Sequence, residues 1–233
     1  MIDEDEIETY LSISTNKYGI YLFDKKNFKN LYSKELQFNE ETSINIHKLS
    51  KFLDDNIFKI EKLIGNFIKN IFLVIKDDRI LNLDIGIKKK NYNQKIDQKY
   101  IEAILTELKD HFVENYREQK IMHILINAIY INEKKFLSFQ NNLEGKSLSL
   151  EVKFISINDN IVYEIEKTLE KFQIKIVKYA DQNYINNYFH DKDIHFSEMI
   201  SRIISGCNEN EIILSPKLLK NKGFFERFFQ LFS

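Results

Sequence analysis

Apolar and polar positions along the chain switch between two periods, and the switches lay out its elements. Residues 10–14 alternate and run into the polar Thr15-Asn16-Lys17, after which residues 19–24 are again rich in Ile, Tyr, Leu and Phe. Two short β-prone runs about a polar turn predict a hairpin, and residues 31–38 add a third strand. From residue 46 to 67 the positions Leu49, Phe52, Leu53, Ile57, Ile60, Leu63, Ile64 and Phe67 recur at spacings of three and four. That is a long amphipathic helix, with Thr42 and Ser43 upstream as cap candidates. Residues 71–75 are apolar without a break, as in a strand buried on both faces. Three strands, a helix and a buried strand imply an α/β sheet.

A second block begins with an alternating strand over 80–87. A helix over 97–116 follows, carrying Ile101, Ile104, Leu105, Leu108, Phe112 and Val113 on one face and Asp97 as N-cap. Strands follow over 121–131, 134–139 and 148–157, the last after a turn at 141–145. The third block returns to the first pattern: a helix over 159–172, a short buried strand over 174–179 and a short helix over 182–189. A further helix spans about 196–205, and the apolar piece at 212–214 is stopped by Pro216. No linker rich in Pro, Gly or Ser separates the blocks, so the middle one reads as an insertion.

The last eleven residues, GFFERFFQLFS, form the strongest amphipathic pattern. On a helix Phe224, Phe225, Phe228, Phe229, Leu231 and Phe232 share an arc of roughly 160°, opposite Glu226, Arg227 and Gln230. Lys217, Lys220 and Lys222 precede it. The pattern fits an interfacial membrane helix and equally a helix docked on the protein's own core.

Composition narrows the classes. The 233 residues are 43% hydrophobic and 30% charged, enough for a core. Lys+Arg 34 against Asp+Glu 35 leaves a net charge of -1, without the basic footprint of a nucleic-acid binder. A single cysteine, Cys207, excludes an internal disulfide and a cysteine-based zinc site. The acidic start lacks a secretory n-region and no apolar run is long enough to span a bilayer, which places the chain in the cytosol or on the cytosolic face of a membrane. The histidines His47, His111, His123, His190 and His195 stand in no metal spacing. Gly145-Lys146-Ser147 ends like a P-loop, but Gln140 stands where the upstream glycine belongs. No catalytic, metal or cofactor constellation emerges.

The block order is similar to the N-terminal part of FtsA, the actin-like bacterial division family. Residues 10–15, YLSIST, sit where that family has its first strand and phosphate loop. Residues 120–126, KIMHILI, resemble its Arg-(apolar)2-His-(apolar)2-Pro strand, with His123 kept and Ile126 in place of the proline. Residues 145–156, GKSLSLEVKFIS, resemble the stretch leading into the strand that closes the family's insertion. The resemblance implies an α/β, actin-like (ribonuclease-H-like) first subdomain at 1–78 and 158–189. It also implies an inserted strand-helix-strand-strand (SHS2) module at 79–157, a remnant or linker at 190–221, an amphipathic helix at 222–233 and a missing second actin-like half.

The departures are as informative. Where the family's loop reads acidic-x-Gly-Thr, this chain has Ser12, Ile13, Ser14 and Thr15, so the metal-organising acid and the glycine are gone. Pro216 stands where adenine-binding glycines are needed. The expectation is therefore no ATP binding and no enzyme, but a membrane-associated adaptor or scaffold of the division machinery. Its implied partners are anionic lipid, division proteins such as FtsZ, and further copies of itself through the inserted module. The alternatives are a cytoplasmic adaptor of pilus assembly similar to PilM, which shares such an insertion, and an actin-like ATPase with unrecognised nucleotide loops.

Overall fold

The structure, a computed structural model, describes residues 6–90, 95–136, 143–190 and 193–212. In chain order its elements are β1 (Ile7–Ile13), β2 (Lys17–Asp24), β3 (Lys29–Gln37), α1 (Ile46–Ile64), β4 (Asn70–Ile75), β5 (Leu81–Lys90), β6 (Lys95–Ile96), α2 (Gln98–Asn115), β7 (Gln119–Ile131), β8 (Lys134–Phe136), β9 (Leu143–Glu144), β10 (Ser147–Asn158), α3 (Asp159–Glu170), β11 (Lys175–Asp181), α4 (Gln182–Tyr188) and α5 (Phe196–Ile204). The described residues divide into two compact units, one drawn from 6–80 and 157–207, the other from 81–156 and 208–212.

The first unit is built on a sheet of order β11-β4-β1-β2-β3. β1 and β11 run parallel to β4, and β2 is antiparallel to both β1 and β3. Both faces are covered. Tyr10, Tyr21, Phe23 and Val74 pack with Ile185 and Phe189 from α4 and its end and with Ile200 and Ile203 of α5. Alternation turns Leu11, Ile13, Ile20 and Leu22 the other way, where the Tyr18 ring lies 6.0 Å from that of Phe52 on α1. Burial between two layers explains why β2 reads as nearly continuous apolar sequence.

Asn45 caps α1, its side chain accepting from the Lys48 amide at 3.0 Å, so Thr42 and Ser43 lie too far upstream for that role. Tyr18 fixes this corner: its hydroxyl donates to the Asn45 carbonyl at 2.9 Å, and burial pushes the phenol up to about 12. The helix stops at Ile64 rather than residue 67. Gly65 takes a left-handed φ of 73° and closes the end with an amide bond to the Glu61 carbonyl. Phe67, expected on the apolar face, is 76% exposed beyond that cap.

The second unit holds a sheet of order β5-β10-β7-β8 and the small β6-β9 pair. From α2, capped by Asp97 as expected, Ile101, Ile104, Leu105, Leu108 and Phe112 pack with Leu148, Leu150, Val152 and Phe154 of β10. The Phe112 and Phe154 rings stack at 4.7 Å. Asn132 and Glu133, both at positive φ, turn β7 into β8 as a two-residue hairpin loop.

Residues 190–221, expected as remnant or linker, contribute to both units where they are described. Ile200 and Ile203 of α5 are fully buried in the first unit's core. Residues 210–212 then lie against β7 of the second unit: Ile126 N–H donates to the Asn210 carbonyl at 2.8 Å and Ile212 N–H to the Ile124 carbonyl at 2.9 Å. The chain thus enters the second unit twice, once at residue 81 and again at residue 208.

Candidate functional site

In open sheets with parallel strands, ligands gather at the strands' carboxyl ends. Here Ile13, Ile75 and Asp181 end β1, β4 and β11 at the same level. The polar groups around them are Ser12, Ser14 and Thr15 from β1 and its turn, Asp77 after β4, and Asp181 with Gln182 at the start of α4. This is where a ligand of such a sheet would sit.

The side chains of Ser12, Ser14, Asp77, Asp181 and Gln182 have partners within the unit, and Thr15 is held through its carbonyl. The β1–β2 turn is a closed hairpin: Ser14 N–H donates to the Lys17 carbonyl at 2.9 Å, and the Ser14 hydroxyl reaches Asn16 Oδ1 at 2.9 Å and the Lys17 carbonyl at 3.0 Å. The carbonyls of Thr15 and Asn16 accept from the amides of Glu41 and Phe38 at 3.0 Å. Lys17 Nζ, the nearest cation in sequence, pairs with Glu35 at 2.8 Å. A phosphate loop needs outward amides and a close backbone approach, whereas this turn is filled by its own side chain and hemmed by residues 38–41. Ser12, 7% exposed, donates to Gln182 Oε1 at 3.3 Å.

The two carboxylates are held as well. Asp181 caps α4, accepting from the Asn183 amide at 3.0 Å and the Tyr184 amide at 3.1 Å. Asp77 accepts from Arg79 Nε at 2.8 Å, Arg79 Nη2 at 2.7 Å and the Arg79 amide at 2.9 Å. Burial alone would push the Asp77 carboxyl up, but the guanidinium fork and the amide outweigh it and hold the group below the ordinary carboxylate value.

Other sequence candidates are taken up locally. The P-loop-like Lys146 and Ser147 direct their amides to Asn132 Oδ1 at 2.8 and 3.3 Å, closing a turn. His190 Nδ1 lies 3.0 Å from the Asn187 carbonyl, and His195 precedes α5 with no side-chain cap bond. Among the described residues no three His, Cys, Asp or Glu side chains converge as a metal would require. The membrane-helix residues Phe224, Phe225, Phe228, Phe229, Leu231 and Phe232, with Lys217, Lys220, Lys222 and Arg227, lie outside the described residues.

Periodicity missed one pair. His123 on β7 and Glu211 are both buried, and His123 Nδ1 lies 2.7 Å from Glu211 Oε1. For His123 the signals were a histidine in an apolar strand and its place in the FtsA-like stretch at 120–126. Glu211 stood among Asn208, Glu209 and Asn210 and read as part of a polar stretch.

No protein family matches the sequence, and no curated protein matches it. The fold, in contrast, is similar to solved structures. A chain of the PilM–PilN type IV pilus biogenesis complex gives a TM-score of 0.52 at 8% identity, over 79% of this chain and 50% of that one. This chain therefore spans half the length of that neighbour. The cytoplasmic domain of EpsL, an inner membrane component of the type II secretion system of Vibrio cholerae, gives 0.37 at 5% identity over 75% and 55%. A Bacteroides thetaiotaomicron protein with an actin-like ATPase fold gives 0.30 at 14% identity over 82% and 59%. At these identities the likeness speaks to the fold alone, which is mixed α/β and similar to that of the PilM–PilN chain.

Proposed function

We propose that this chain is a non-enzymatic, actin-like adaptor for a membrane-associated assembly of the pilus or secretion type, joining protein partners at the cytosolic face of a membrane. The observation that carries the reading is the β1–β2 hairpin. At the position of a phosphate loop it directs its amide, hydroxyl and carbonyl groups to one another and to residues 38–41. A fold kept without that loop is suited to contacts rather than turnover. The likeness to a PilM–PilN chain supports pilus-type assembly over the division role that FtsA suggests, and FtsZ gives way to a membrane-associated partner protein. Residues 223–233 are proposed as an interfacial anchor on anionic lipid, on their amphipathic pattern and basic approach.

Calorimetric titration of the whole chain with magnesium and ATP tests the non-enzymatic part. No saturable heat is expected, and binding in the micromolar range would overturn it. Deleting the gene in cells that carry it separates the two assemblies. Loss of surface pili or of a secreted protein at normal cell length is expected, while filamentous cells with both intact would return the division role.

A further inference from the structure

β5 is an edge strand of a kind that proteins seldom leave open. Its sheet neighbour is β10, and among the described residues no strand pairs with its other side. The β10 pairing runs through ten consecutive residue pairs, from Ser147↔Lys90 to Ser156↔Leu81, without a register shift. No proline or bulge breaks it. Leu81, Leu83, Ile85 and Ile87 face the core with α2 yet stay only half-buried, because nothing described covers their outer flank. The opposite face carries Asn82, Asp84, Gly86, Lys88 and Lys90, all exposed.

The order of these residues is self-complementary. Reading LNLDIGIKKK outward from Gly86 meets Ile85 and Ile87, then Asp84 and Lys88, then Leu83 and Lys89, then Asn82 and Lys90. We propose that two copies of the chain pair antiparallel through β5, across a twofold axis at Gly86, joining their sheets into one. On the exposed face Asp84, which within its own copy accepts from Asn127 Nδ2 at 2.9 Å and lies 3.8 Å from Lys153 Nζ, then stands opposite Lys88 of the other copy, twice, and Asn82 opposite Lys90. On the α2 face Ile85 meets Ile87, which covers the half-buried flank.

Charge and apolar pairing together favour this register: an axis at Ile87 keeps Asp84 opposite Lys90 but sets Ile85 against Lys89. An axis at Ile85 sets Asp84 against Gly86 and leaves no opposite-charge pair. Parallel in-register pairing sets Lys88 on Lys88 and Lys90 on Lys90. A twofold contact uses both β5 edges, and the sheet's far strand, β8, has only three residues, so the assembly closes as a dimer. This inference stands apart from the adaptor reading.

Sedimentation velocity on the whole chain tests it. The expected mass is twice 27.9 kDa at micromolar concentration. Asp84→Lys and Lys88→Asp are each expected to weaken the dimer about tenfold or more by opposing like charges, and Asp84→Lys with Lys88→Asp to restore it. A Cβ at Gly86 meets no atom within 4 Å inside the copy, so Gly86→Cys is compatible with the fold. In a Cys207→Ser background Gly86→Cys is expected to oxidise to a covalent dimer and Asn82→Cys is not. A chain that stays monomeric, a dimer indifferent to both single reversals, or a folded double variant that remains monomeric would overturn the proposal. A dimer that survives both reversals is held elsewhere, residues 223–233 included.

Discussion

His123 Nδ1 and Glu211 Oε1 meet at 2.7 Å with their side chains 0% and 1% exposed, joining a central strand to a residue 88 positions later. Taking away one member leaves the other's polar group buried. His123→Ala or Glu211→Ala is expected to cost about 1–3 kcal/mol, read from urea unfolding by circular dichroism. Replacing both with apolar residues, His123→Leu with Glu211→Met, should cost much less than the sum of the single changes. Additive losses would mean the two side chains act independently.

The fork on Asp77 sets an acid limit. A carboxyl held below its unfolded value adds stability above the unfolded pKa and loses it as pH falls through the folded one. Arg79→Met leaves a buried carboxylate with less compensation and raises the folded value. Its acid-unfolding midpoint should therefore move to higher pH than in the parent chain, while the two converge at low pH where Asp77 is protonated in both. An unchanged midpoint would show that the fork carries no linkage.

Ser14 closes the hairpin through its hydroxyl. Ser14→Ala is expected to lower stability by about 1 kcal/mol, and to gain no affinity for nucleotide, since Thr15 and Asn16 remain tied to residues 38–41. Nucleotide binding that appears in Ser14→Ala would mean that this side chain alone blocks the site.

The terminal pattern predicts salt-sensitive lipid binding. The full chain should pellet with anionic vesicles and a version ending at Lys222 should not. Phe228→Asp with Phe229→Asp should weaken pelleting by about tenfold or more, because burying a Phe is worth ~1.5–3 kcal/mol. Raised salt should weaken it further through Lys217, Lys220, Lys222 and Arg227. Equal pelleting of the full and shortened chains would assign the helix to the core.

Much of the fold was legible because local rules agreed with it. The threefold and fourfold spacing of Leu49 to Ile60, the unbroken run ending at Ile75 and the Asp97 cap each reflect one element facing one environment. Helix ends were less legible: Asn45 and Gly65 decide α1 through backbone geometry, which apolar spacing does not carry. The second entry into the second unit was invisible for a different reason. Residues 208–212 are few and polar up to Ile212, and they gain their place from β7, 84 positions upstream in the bond of Asn210 and 88 in that of Ile212. At the candidate site the departure from the FtsA-like loop was plain in Ser12 and Ser14. That the turn fills itself required knowing where Asn16, Lys17 and residues 38–41 converge.

The strand-like seat of residues 210–212 also decides where a mechanical load would enter. Tension drawn on the chain from beyond residue 212 reaches the Ile212–Ile124 backbone bond first, then the His123–Glu211 pair, then the Asn210–Ile126 bond. It is taken up by β7, a thirteen-residue strand in the interior of its sheet, before it can reach the short stretch that leads back to α5. A load on the chain from that side would thus be borne first by the second unit.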